Sequence, residues 1–281
     1  MSKTVLLLFI CLLSAYLAGI AVPELPAEDY LDSDEALGIG AGSAAVFGLG
    51  QWLRHFDLDR KPLIDGPILF DRSLQSFLGG EYYPGKTNFL DNTFGSAVTG
   101  VGAGLILFTA DINWPQGDKT KTVMQDMFLF TAGITATKGV TDMVKGVFAR
   151  PRPYTYYTEI TFDNPGKYRK SRHSFFSGHS SSAFFATAFL NKRLRSIMRS
   201  ELSASEYHDW RWAPPAVLFG WASYVGYSRI HAYKHHFSDV ILGAAAGILI
   251  AELFYWFGEN EKENVGEASG VNYLFKISFS F

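Results

Sequence analysis

The sequence predicts an all-α protein, a bundle of about five or six apolar helices set in a membrane. Three observations carry this. Apolar runs of helix length recur along the 281 residues, and 48% of the chain is hydrophobic against 19% charged. The run 123–147 holds Lys138 and Asp142, which a bundle would turn toward its interior. The run 240–257 is the clearest span, and its Gly243 and Gly247 permit close helix packing. Net charge is −2, which argues against a globally basic nucleic-acid binder. The one cysteine, Cys11, excludes a disulfide framework and a Cys-based zinc site.

Residues 1–21 carry Lys3, an apolar core and small residues at Gly19 and Ala21, as a signal peptide or an uncleaved signal anchor does. Either would send the following chain across the inner membrane of a bacterium. Residues 22–35 are acidic and contain Pro23 and Pro26, and are expected to be a linker. The main domain is expected over 36–258. Within it, 36–53 is apolar and Gly-rich, 54–92 has no sustained period, and 93–108 is a second apolar run. Further helices are expected over 123–147, 175–190, 215–227 and 240–257, with no internal repeat. Residues 259–281 form a polar linker and tail, in which Val271, Tyr273, Phe275, Ile277, Phe279 and Phe281 alternate with other residues. This period of two suggests a short C-terminal strand, but no series of barrel strands precedes it; an amphipathic tail is the alternative.

Lys192, Arg193, Arg195 and Arg199 are expected in a loop after the 175–190 helix, which the positive-inside tendency makes cytoplasmic. The opposite helix ends then face the periplasm. Helix parity does not let both 1–21 and 36–53 cross, so one of them is interfacial, re-entrant or packed on the bundle. A soluble periplasmic bundle and, from the tail, an outer-membrane association are the alternatives.

Those opposite ends carry three chemical segments. Lys145 is expected to end a helix, with Arg152 reaching from an extended stretch between Pro151 and Pro153. A guanidinium grips phosphate bidentately and an ammonium adds a point charge. A solvated helix end with Arg150 and Arg152 in water is the alternative. Next, Ser177 is a good N-cap, Gly178 lets backbone approach a ligand, and helix N-terminal N–H groups bind anions. His179 would sit in the first turn as a general acid for a leaving alkoxide, or as an ordinary interior histidine. In the third segment, Arg229 precedes His235, and Asp239 follows His235 by four residues. That spacing would put the two on one helix face, with the carboxylate accepting from one ring nitrogen and leaving the other as a nucleophile. A His/His/Asp metal site is disfavoured by Lys145, Arg152 and Arg229, which repel cations.

Lys145-x6-Arg152-Pro153, Ser177-Gly178-His179 and Ser228-Arg229-x5-His235-x3-Asp239 together resemble the three-part signature of the type 2 phosphatidic acid phosphatase superfamily. That superfamily includes membrane lipid phosphatases, bacterial acid phosphatases and vanadium haloperoxidases. The resemblance implies a helical bundle and a phosphatase needing no metal or other cofactor. His235 would form a phosphohistidine, oriented by Asp239, with His179 as acid and base. Lys145, Arg152, Ser177, Gly178 and Arg229 would bind the phosphoryl group. One departure is Phe176, where the family usually has proline; it removes no catalytic group and bears on rate and specificity.

Tyr154, Tyr156, Tyr157 and Tyr168, with Lys167, Arg169, Lys170 and Arg172, suggest that the connector before the Ser-Gly-His segment engages an anionic lipid headgroup. The expected function is hydrolysis of a membrane-lipid phosphate monoester or pyrophosphate on the periplasmic side of the inner membrane. A vanadate-dependent haloperoxidase and a non-hydrolytic anionic-lipid binder or transporter are the alternatives. Oligomeric state has no signal in the sequence.

Overall fold

The computed structural model describes residues 31, 33–55, 61–80, 117–156 and 165–259. Among these, the elements are α1 (Ser33–His55), α2 (Asp71–Leu78), α3 (Gly117–Phe148), a 3-10 turn (Pro153–Tyr156), α4 (Pro165–Ser171), α5 (Gly178–Glu201), α6 (Ala204–Trp210), α7 (Ala213–His231) and α8 (Phe237–Glu259), with no strand. The expected signal segment 1–21, the apolar run 93–108 and the tail from 260 onward lie outside the described residues.

α5 is the hub, packed against α3, α7 and α8. Its Phe185, Ala186, Phe189 and Leu190 meet Leu129 and Phe130 of α3 and Ala251 and Phe254 of α8. Burying each such ring contributes about 1.5–3 kcal/mol, and Phe130 adds an edge contact to Phe189 at 5.7 Å between centroids. Glycines bring α8 onto α5: a Cβ at Gly243 would lie 2.7 Å from the Ser177 carbonyl oxygen, and one at Gly247 would overlap that of Ser181. The small residues noticed in the sequence therefore set the separation of the two helices that carry Ser177 and Asp239.

α1 packs along α3. Asp142 is fully buried there and accepts from Gln51 Nε2 at 2.7 Å and Arg54 Nη1 at 2.9 Å, with Lys138 as a further ion-pair partner. Asp142 does face inward, toward a neighbouring helix, while the Lys138 side chain stays 42% exposed at the edge of the contact. Among the described residues, two helices are long and apolar enough to cross a membrane, Ser33–His55 and Phe237–Gly258. Both present large apolar side chains outward, among them Trp52 on α1 and Leu249 and Trp256 on α8.

Several elements differ from expectation. α1 begins at Ser33, inside the expected 22–35 linker, with Asp34 and Glu35 in its first turn where the helix dipole favours carboxylates. α5 continues to Glu201, because nothing between Leu190 and Leu202 breaks a helix. The basic residues expected in a loop are therefore helical: Lys192 pairs with Glu252 at 2.6 Å and Arg193 with Asp126 at 2.6 Å. α6 was not expected at all; a capping box between Ser203 and Glu206 starts it. α7 opens on Pro214 and Pro215 in its first turn, where a missing N–H costs nothing.

Candidate active site

The three chemical segments meet at one end of the bundle, where α3 and α7 finish and α5 and α8 begin. Lys145 lies in the last turn of α3 and is buried. The chain leaves that helix through Ala149, in the left-handed region at φ 48°. It then runs extended through Arg150 and Arg152, held by Ser174 N–H to the Arg150 carbonyl (3.0 Å) and Arg152 N–H to the Ser171 carbonyl (2.8 Å). Lys145 and Arg152 thus come from a helix end and an extended stretch, as the prolines require.

Ser177 caps α5, its Oγ accepting from Ser180 N–H at 3.3 Å. Its own N–H donates to the Asp239 carbonyl at 2.9 Å, which ties the start of α5 to the start of α8. Gly178 leaves little room for a side chain, since a Cβ there would lie 3.0 Å from Lys145 Nζ and 3.2 Å from Thr141 Cγ2. The Lys145 amine therefore stands close over the N-terminus of a helix, a place for an anion. His179, in the first turn, is half-buried. Arg229, at the end of α7, is buried and its Nε and Nη2 each donate to Ser228 Oγ at 3.1 Å. The Arg229 carbonyl accepts from Lys234 (3.0 Å) and His235 (3.3 Å), closing a turn in which Tyr233 has φ 54°.

The geometry at His235 corrects the sequence expectation. His235 precedes α8, which starts at Phe237, so His235 and Asp239 do not share a helix face. The ring Nδ1 lies 2.7 Å from the Ser174 carbonyl oxygen and 3.8 Å from Asp239 Oδ2. A carbonyl only accepts, so Nδ1 carries the proton and Nε2 is left with its lone pair. Burial, the largest cause, holds the His235 pKa down to about 3; Asp239 opposes this, and Arg152 and Lys145 reinforce it. Asp239 is fully buried and bonds elsewhere, to Arg150 Nη1 (2.5 Å), Ser174 Oγ (2.5 Å) and the His236 N–H (2.9 Å).

All eight residues singled out in the sequence gather at this end of the bundle. Among the buried polar atoms there with no hydrogen-bond partner among the described residues are Arg152 Nε and His173 Nε2. The orphaned guanidinium N–H is a donor suited to a phosphoryl oxygen. No group of three or more His, Cys, Asp or Glu side chains among the described residues is placed to hold a metal ion.

Sequence reasoning missed Arg150, Asp71 and Ser174. Arg150 is fully buried and bonded to carboxylates from two distant segments, the reverse of the solvated helix end weighed above. Its partners lie 79 and 89 residues away along the chain, beyond the reach of any local spacing. In the connector, Tyr156 and Tyr168 are exposed, and Arg172 Nη1 donates to the Tyr168 hydroxyl at 3.0 Å. Tyr157 lies outside the described residues.

Residues 126–263 match the family model described as the PAP2 superfamily. Over those residues, just under half of the chain, the sequence is similar to that superfamily. This sequence is 32% identical over 149 residues to phospholipid phosphatase 2 of Homo sapiens, covering 45% of this chain and 48% of that one. It is 31% identical over 153 residues to phospholipid phosphatase 1 of Rattus norvegicus (47% and 51%). It is 34% identical over 82 residues to a probable diacylglycerol pyrophosphate phosphatase 1 of Schizosaccharomyces pombe (29% and 29%). The chain thus spans about half the length of the phospholipid phosphatases it matches. Among solved structures, the crystal structure of Aquifex aeolicus LpxE aligns with a TM-score of 0.39 and 20% identity, over 67% of this chain and 96% of that one.

Proposed function

We propose that this PAP2-like domain hydrolyses the phosphate monoester or pyrophosphate of a membrane lipid through a phosphohistidine on His235. The observation that carries the reading is the Nδ1–H of His235 held by the Ser174 carbonyl, which leaves Nε2 as a neutral nucleophile beside Lys145 and Arg152. Nε2 attacks phosphorus, and the P–O bond to the leaving group breaks. Burial, with Arg229, holds the His179 pKa down to about 2 without substrate, so it acts as the acid once the negative charge of the bound phosphate draws a proton onto its ring; the leaving oxygen then takes that proton. His179 then removes a proton from water, which attacks the phosphohistidine and frees phosphate and His235. Lys145, Arg152, Arg229 and the N–H groups after Ser177 carry the developing charge on the equatorial oxygens, the largest electrostatic contribution in such a site. No metal takes part in this scheme.

The lipid substrate is supported by the phospholipid phosphatase relatives and by the outward apolar faces of α1 and α8. The site belongs on the non-cytoplasmic side of a cell-envelope membrane. Support for this orientation comes from Lys192, Arg193, Arg195 and Arg199, which lie toward the end of α5 remote from Ser177.

The test is phosphate release by wild type and His235→Ala, in detergent with EDTA, from phosphatidic acid, phosphatidylglycerophosphate, undecaprenyl pyrophosphate, lipid A phosphate and p-nitrophenyl phosphate. Release that is lost in the variant and untouched by EDTA supports the reading, and the ranking names the substrate. Equal release by both proteins refutes His235 as the nucleophile.

A further inference from the structure

We infer that Arg150 is a positioning residue for the nucleophile, acting through Asp239 and Ser174 to fix the ring of His235, and that Asp71 and Ser238 hold Arg150 in place. The kinetic part of this inference rests on the phosphatase reading of His235.

The geometry runs unbroken from one end of the relay to the other. Arg150 has no exposed surface. Its Nε and Nη2 donate to the Gly66 carbonyl at 3.1 and 2.8 Å, and Nη2 also to Asp71 Oδ2 at 2.7 Å. Its Nη1 donates to Asp239 Oδ1 at 2.5 Å and to Ser238 Oγ at 2.9 Å. All three guanidinium nitrogens are therefore committed to protein oxygens, and the fork is closed. This separates Arg150 from Arg152, two residues on, whose Nε has no partner among the described residues. Arg152 can offer a donor to a phosphoryl oxygen, whereas Arg150 would have to break a buried ion pair to do so.

Asp239 passes the constraint on. Its Oδ2 accepts from Ser174 Oγ at 2.5 Å. Ser174 is pinned a second time by its N–H on the Arg150 carbonyl at 3.0 Å. Its own carbonyl then receives His235 Nδ1 at 2.7 Å. With side chain and N–H both tied, the direction of that carbonyl is fixed, and so is the ring plane that bonds to it. At the other end, Asp71 Oδ1 accepts from Ser238 N–H at 2.8 Å, and its Oδ2 from Ser238 Oγ at 2.8 Å and Ile68 N–H at 2.9 Å. Two buried carboxylates share one buried guanidinium, and hydroxyls and amides satisfy the remaining lone pairs. Such a network is costly to desolvate and is kept where geometry has to be unique.

The decisive variants are Ser174→Ala, which removes one hydroxyl and leaves the ion pairs intact, and Arg150→Lys, which keeps the charge and loses the fork. Arg150→Met is expected to unfold the protein as well, so it is studied only together with Asp71→Asn, which balances the buried charge. Histidine-specific 15N labelling of the full chain in detergent reads the His235 tautomer directly, with His235→Ala assigning the signal. In wild type, Nδ1 is protonated and Nε2 is not. In Ser174→Ala and Arg150→Lys, that preference is expected to weaken. On p-nitrophenyl phosphate, kcat should fall on the order of 10- to 100-fold, as for a misplaced reacting group. KM and inhibition by inorganic phosphate should stay within about twofold, because no phosphate contact is touched. His235 signals unchanged in both variants would overturn the inference. So would a loss of phosphate affinity that matches the loss of kcat, since Arg150 would then be a phosphate ligand. If wild type and His235→Ala release phosphate equally, it is the phosphatase reading that fails, and the nitrogen spectra still decide the relay.

Discussion

Asp239 stands 3.8 Å from the His235 ring, outside hydrogen-bonding distance, and reaches it through Ser174. The carboxylate is therefore a structural partner of Arg150 before it is a partner of the histidine. Asp239→Ala should lower stability by about 3–5 kcal/mol, because it strips a partner from a buried guanidinium. Asp239→Asn keeps one acceptor oxygen and the side-chain shape, and should lose less. Thermal unfolding of the two variants checks the order; equal losses would mean that the lost charge carries the whole effect and that the retained oxygen contributes nothing.

Arg152→Lys should lower kcat/KM by roughly 10- to 100-fold, the loss of one charge-assisted, bidentate contact. A lysine keeps the charge but not the fork, so inhibition by inorganic phosphate should weaken in parallel. Steady-state kinetics with phosphate as inhibitor measures both, and an unchanged inhibition constant would remove Arg152 from the phosphate site.

Stability should depend on acid. His235 and His173 are both held down to about 3 in the folded protein, against 6.5 for a free histidine, with burial as the largest cause in each. The unfolded chain then binds protons that the folded chain refuses. This contribution is fully present above about pH 6.5 and is lost progressively as pH falls toward 3. The thermal midpoint in detergent should drop between pH 7 and pH 5, and His173→Leu should flatten that slope. A midpoint independent of pH across this window would contradict the buried neutral histidines.

Gly247→Ala should cost about 1–3 kcal/mol by overpacking, since its Cβ would overlap the Ser181 carbonyl. The strain falls on the seam that sets Ser177 against α8, so activity should drop with stability. Gly220→Ala, on α7 with no described residue near its Cβ, is the control and should leave activity unchanged while raising stability by up to about 1 kcal/mol. Circular dichroism melts and phosphate release test the pair.

Neutralising Lys167, Arg169, Lys170 and Arg172 together should raise KM for a lipid phosphate in mixed micelles and leave KM for p-nitrophenyl phosphate alone. Equal changes on both substrates would assign these charges to the phosphate site rather than to the headgroup surface.

Much of this was legible in the chain, for physical reasons that differ by residue. Ser177 as a cap, Gly178 as a close approach and Lys145 as a helix end follow from local backbone rules, and each is found where those rules put it. Gly243 and Gly247 announced a tight helix pair without naming the partner, which is α5. The link from His235 to Asp239 was misjudged because spacing of four implies a shared face only inside a helix, and α8 starts after His235. Arg150 and Ser174 gave no signal because their partners come from elsewhere in the sequence. α2 was hidden by its inverted pattern: Asp71 and Gln75 point inward, while Phe77 is 82% exposed.

That short helix has a consequence for how order is shared across the molecule. Eight residues are too few to hold a helix by internal hydrogen bonds alone. α2 is kept by Asp71 on Ser238 and by Gln75 Nε2 on the Ile230 carbonyl, contacts made across 167 and 155 residues of chain. Its amides should therefore exchange with solvent as one cooperative unit with the loop that carries His235. Deuterium uptake in 71–78 becomes a gauge of whether that loop is in its working conformation, available without any substrate.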